Sequence, residues 1–185
     1  MPKIVDHAAR REELAAALWR LVMREGIEAA SLRRVAAEAG WSPGSLRHYF
    51  RSRSDLLAFA MELVIQRVRD RVAALGADPD PRALLQQALP LDAERRAEMQ
   101  VWLAFTMQAL VDPGLRELRD DAHAALRALC RRITEAGRWS DPGRAAEQLH
   151  ALVDGLALHA VLAPGVTTPA RQAQLLDDYL ALSDR

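Results

Sequence analysis

The chain predicts an all-α protein of about nine helices: an N-terminal helix-turn-helix domain of three helices, then a larger C-terminal helical domain. Two observations carry that expectation. Alanine (35) and leucine (28) outnumber Val, Ile and Thr together (19) by more than three to one, and β-branched residues favour strands while alanine and leucine favour helices. Apolar residues recur at three- and four-residue spacing. No sustained period-two alternation flanks a hairpin signal.

Punctuation sets the elements in order. A first helix over 7–24 carries Leu14, Leu18, Leu21 and Val22 on one face, and Gly26 stops it. Ser31 caps a short second helix bearing Leu32, Val35 and Ala36, closed by Gly40. Ser42 caps a third, over 42–50, with Pro43 at its first position, where a missing N–H costs nothing. Trp41 and Leu46 have the spacing of a hydrophobic staple across that cap. Ser52 and Asp55 resemble a capping box opening a long fourth helix with the stripe Leu56, Ala60, Leu63, Val64, Val68, Val72 and Leu75. Beyond the Gly- and Pro-rich linker 76–81, helices are expected over 82–89, 92–111, 115–136, 141–163 and 168–182.

Charge divides the chain. Lys+Arg and Asp+Glu both total 25. Residues 1–55 hold 10 basic and 7 acidic side chains, so the front is basic and the rear acidic. No apolar run approaches the ~18 residues of a membrane span, and the first residues lack a signal-peptide core. A lone cysteine, Cys130, cannot pair within the chain, so a reducing cytoplasmic setting is expected.

The two short helices joined by Ala39-Gly40-Trp41-Ser42 have helix-turn-helix spacing. A helix that enters a major groove needs a small polar tip so that its backbone can approach. Ser42, Pro43, Gly44 and Ser45 supply that tip, while Leu46 and Phe50 can anchor the rear. Arg47, His48 and Tyr49 lie between them, able to reach phosphates or base edges, with packing in the core as the lesser alternative for Tyr49.

Residues 31–57, SLRRVAAEAGWSPGSLRHYFRSRSDLL, resemble the signature of TetR-family transcriptional regulators. The segments 99–118 and 152–162 resemble that family's ligand-binding and dimerisation domain, nearest to regulators of the betaine pathway. The resemblance implies a homodimeric repressor that binds a palindromic double-stranded DNA operator and is released by a small-molecule effector. It implies a DNA-binding domain over 1–55 and a ligand-binding and dimerisation domain over 56–185. By motif position it carries the DNA contacts onto Ser31, Arg33, Ser42, Pro43, Gly44, Ser45, Arg47, His48, Tyr49 and Arg53. Two positions depart from the common pattern. Position 43 is Pro where many members have Lys, and position 47 is Arg where many have Tyr, so the operator sequence does not carry over.

Helix 92–111 is apolar nearly all round from Met99 to Val111, which predicts burial. Met99, Trp102 and Phe105 could line a pocket, with ordinary core packing as the plain alternative; Thr106, His123, Asp154 and His159 are polar candidates, each with a surface or hydrogen-bonded role as the alternative. Two late stripes, Leu149, Leu152, Val153, Leu156 and then Leu175, Leu176, Tyr179, are expected at the dimer interface, though alone they could close an internal core. Glu147 and His150 have the Glu-x-x-His spacing of di-iron bundles, the one hint of a helical metalloenzyme. No second such motif exists, no nucleophile–base set or Zn-ligand spacing is seen, and neither an enzyme, a metal centre nor a cofactor is expected.

Overall fold

The computed structural model describes residues 7–184. Among them are nine α-helices and no strand: α1 (His7–Glu25), α2 (Leu32–Glu38), α3 (Pro43–Leu46), α4 (Arg53–Ala74), α5 (Pro81–Leu85), α6 (Ala93–Val111), α7 (Arg116–Ala136), α8 (Pro142–Leu162) and α9 (Pro169–Leu180). Short 3-10 turns follow α1, α5 and α9 and precede α7. None of the helices is long and apolar enough to cross a membrane.

Side-chain caps open the helices where the sequence places them. Ser31, Ser42 and Ser52 accept from the backbone N–H of Arg34, Ser45 and Asp55, three residues on. Asp92, Asp141 and Thr168 do the same for α6, α8 and α9. Each satisfies one of the donors a helix start leaves free. At α4 Asp55 also accepts from the N–H of Arg51, one residue before the cap, at 2.7 Å. Those bonds, led by that from Arg51, hold the Asp55 carboxyl below its ordinary range.

Two cores form. The first joins Leu14, Leu18 and Leu21 of α1, Val35 of α2, Leu46, Phe50 and the front of α4 to Val101, Phe105 and Ala109 of α6. The second gathers Leu85, Leu89, Cys130, Leu149, Val153, Leu156 and Leu176 from the segments around α5, α7, α8 and α9. Helix α6 therefore serves both: Met99 packs on the second core while Phe105 is fully buried in the first. The first core runs through residue 55 without a break, since Leu56, Phe59 and Val64 of α4 belong to it.

Two expectations change. The third helix is four residues long rather than spanning 42–50. After Leu46 the bonds tighten, with His48 N–H to Ser45 O and Tyr49 N–H to Leu46 O, so that Phe50 turns into the core. The expected burial of the apolar helix over 92–111 fails at its end. Met107, Leu110 and Val111 are 64%, 57% and 75% exposed, because their three- and four-residue spacing puts them on the outward face, while Ala109 in the same turn is fully buried.

Candidate nucleic-acid interface and effector cavity

Gly40 closes α2 at φ +71°, a conformation that favours glycine. The chain then turns and Ser42 caps α3, its Oγ 2.8 Å from Ser45 Oγ. Around that tip Ser31, Arg33, Ser42, Gly44, Arg47 and His48 are exposed, and Ser45 and Tyr49 are half-buried. The side chain of Pro43 lies outside the described ones. Trp41 does not staple onto the helix alone. Its ring meets Tyr49 edge-on at 5.5 Å, its N–H reaches Glu13, and Arg10 sits 5.1 Å over it.

The arginines of this region divide by partner. Arg20 and Arg24 bind Glu38, whose carboxyl they pull down to about 2, chiefly through hydrogen bonds from Arg24 and then Arg20. Arg34 is held by Glu25 at 2.6 Å. Arg53, expected at DNA, binds Glu28 at 2.8 Å and the Ala30 carbonyl at 3.3 Å, tying the start of α4 to the turn after α1. Arg33 and Arg47 are exposed and make no ion pair among the described residues.

A cavity of about 440 Å³ lies in the C-terminal half, walled by α4, α5, α6, α7 and α8. Its lining is mostly apolar, with Val64 and Val68 of α4, Leu89, Leu126 and Val153 among the contributors. Glu98, Arg95, Asp121, His123 and Asp154 are polar points on that wall. Of the expected pocket residues, Met99, Trp102, His123 and Asp154 line it. Phe105 lies in the first core, His159 is exposed on α8, and Thr106 hides its hydroxyl without a hydrogen-bond partner among the described residues. Sequence reasoning missed the α4 contribution. Val64 and Val68 sit on a stripe that reads as plain core.

One ion pair ties two walls of the cavity together. Arg71 of α4 grips Glu98 of α6 with two hydrogen bonds, and Glu98 is buried. On the same pair of helices Arg67 lies 4.1 Å over the Trp19 ring of α1 and pairs with Glu94.

The expected interface residues fall into two groups. Leu149, Val153, Leu156 and Leu176 are buried in the chain's own second core, which takes them off the surface. Leu152, Leu175 and Tyr179 are half-buried against it, and the Tyr179 hydroxyl donates to the Ala145 carbonyl at 2.8 Å. The opposite face of α8 carries exposed Ala151, Leu158 and Leu162, with open space beside Gly155.

Comparison with known proteins agrees with this architecture. Residues 14–60 match the family model described as bacterial regulatory proteins, tetR family, and residues 79–183 match that of the BetI-type transcriptional repressor, C-terminal. The HTH-type transcriptional regulator PksA of Bacillus subtilis is 41% identical over 173 residues, covering 89% of this chain and 84% of the relative. The crystal structure of a transcriptional regulator from Rhodococcus superposes with a TM-score of 0.80 at 32% identity, covering 93% and 94% of the two chains. The multidrug binding protein EbrR, complexed with imidazole, superposes at 0.67 with 27% identity over 92% of this chain and 89% of that one. With its serine-capped helix-turn-helix, its walled cavity and matches to both halves, the chain belongs to the TetR family of bacterial transcriptional regulators, has a C-terminal domain of the BetI repressor type, and is a regulator rather than an enzyme.

Proposed function

We propose that the chain works in the cytoplasm as a homodimeric repressor whose two α3 tips sit on a palindromic operator until a small molecule occupies the cavity. The observation that carries this reading is the sharing of α6. One face of it walls the cavity through Met99 and Trp102; another, through Val101 and Phe105, is built into the core of the reading head. A ligand that spreads α6 from α4 changes how the head is held. It releases DNA if it binds the non-operator arrangement better, and a coupling of ~1–3 kcal/mol would shift operator affinity roughly 5–150-fold.

Ser31, Ser42, Gly44 and Ser45 approach the backbone closely, Arg33 meets phosphate, and Arg47 and His48 reach phosphate or base edges, with Pro43 and Tyr49 shaping the tip. Arg53 acts mainly by holding the head together through Glu28 and Ala30. The dimer forms along the outward stripe of α8, Ala151, Gly155, Leu158 and Leu162, whose spacing of four, three and four keeps it on one face. Leu152, Leu175 and Tyr179 support it from the second core. A two-fold pair would set the tips one helical turn of DNA, ~34–36 Å, or a multiple apart. The effector is a mainly apolar molecule with one or two polar groups, matched to the wall; EbrR, a relative in fold and sequence, is a multidrug binding protein.

Selection of bound duplexes from a random pool tests the reading. A palindrome should emerge, its affinity should fall steeply with salt as counterions leave, and Leu158→Glu with Leu162→Glu should give a monomer with weakened operator binding. Equal, weak affinity for selected and random duplexes would sink it.

A further inference from the structure

Where α7 and α8 meet the cavity, His123, His150 and Asp154 each bring a ligand atom within 4.8 Å of the others. His150 and Asp154 stand four residues apart on α8 and so share a face. Nε2 of His150 lies 3.4 Å from Asp154 Oδ2, yet it is buried and has no hydrogen bond among the described residues. His123 reaches in from α7, its ring centroid 4.6 Å from that of His150 at an interplanar angle of 56°.

From this arrangement we infer that His123, His150 and Asp154 bind a borderline divalent transition ion, zinc(II) for reference, with a remaining coordination position open to the cavity. Two imidazoles and one carboxylate are donors suited to such ions, and three protein ligands leave a place for a water or an incoming oxygen donor. Tetrahedral Zn–N bonds of ~2.0–2.1 Å place donor atoms about 3.3 Å apart. The observed separation closes by side-chain rotation of exposed His123 and of Asp154, whose side chain is 49% exposed. Both also line the cavity, so the open position faces whatever occupies it.

The surroundings suit the role. Burial, and the nearby His123 and Arg127, push His150 below the ordinary imidazole range, while Asp154 opposes them. Cys130 does not compete. Burial, then Asp154, pushes its thiol up to about 11. An ion would also give His150 Nε2 the partner it lacks, and a buried polar atom left unpaired is costly. The sequence motif Glu147-x-x-His150 points elsewhere: Glu147 is exposed, and the carboxylate beside His150 is that of Asp154, one turn on. The site stands apart from the operator reading, since binding is read on the protein alone.

Calorimetric titration of metal-stripped protein with zinc chloride tests it, with cobalt(II) as the spectroscopic probe. One equivalent per chain should bind, and cobalt should show the strong visible bands of a tetrahedral site. His123→Gln and Asp154→Asn, both away from the core, should each weaken binding at least tenfold, and His150→Gln should abolish it. Glu147→Gln and His159→Gln should bind as the unaltered chain does. No binding by the intact protein, or binding unchanged in a His123→Gln/Asp154→Asn variant that melts normally, overturns the assignment.

Discussion

Arg71 donates two parallel hydrogen bonds to Glu98, at 2.7 and 2.6 Å, locking α4 to α6 beside the cavity. The pair is unevenly solvated: the Arg71 side chain is 27% exposed and that of Glu98 only 5%. Glu98 raises the Arg71 pKa above its ordinary value. Removing Arg71 strands a buried carboxylate, whereas removing Glu98 leaves a guanidinium that can reach water. Arg71→Ala should therefore cost about 3 kcal/mol, at the low end for a broken buried pair, and Glu98→Gln clearly less. Urea melts of the two variants decide the order.

Gly40 has nothing within 4 Å of where a Cβ would sit, yet its φ is +71°. A side chain there meets backbone strain alone. Gly40→Ala should destabilise by ~1–2 kcal/mol, and Gly40→Asn by less, since asparagine tolerates this region better. Thermal melts check the ranking; equal losses would point to a clash instead.

Arg33, Arg47 and Arg34 are chemically alike but differently employed. Arg34 is committed to Glu25 and the Ala29 carbonyl, so Arg34→Ala should lower stability with little change in the salt slope of DNA binding. Arg33→Ala should weaken binding similarly on all sequences and reduce that slope by about one. If Arg47 reads a base, its alanine variant loses roughly 1–3 kcal/mol on the selected operator and little on random DNA.

Cys130 is fully buried, and its thiol, raised to about 11, resists ionisation. Thiolate is the reacting form, so a disulfide reagent at pH 8 should modify native protein far more slowly than urea-unfolded protein. The unfolded thiol loses its proton near its ordinary value of 9.0 while the folded one keeps it. The unfolded state then binds fewer protons, and stability falls as pH rises from about 9 to 11. Cys130→Ala should flatten that decline.

Much of this was legible in sequence because capping is local chemistry. Ser31, Ser42 and Ser52 each announce a helix within four residues, and all three accept the expected bond; Asp92, Asp141 and Thr168, at or near the expected starts of later helices, cap in the same way. What one sequence hides is direction. Helix α8 is apolar on more than one face, and the stripe at Leu149, Val153 and Leu156 turns inward while Leu158 and Leu162 turn out. Phe105 and Trp102 are three residues apart on α6 and both pack on the first core, yet only Trp102 also reaches the cavity wall. Only the packing of α4 and α8 against α6 separates them.

The double duty of α6 limits how such a protein can diverge. A descendant that adopts a new signal is free to alter Met99, whose side chain meets the cavity; Trp102 meets the cavity but also packs on the first core, and Val101 and Phe105 hold the head and must stay nearly as they are. Variation along this one helix should alternate between tolerated and forbidden with the helical pitch, so that chemical taste can drift while the DNA grip is inherited.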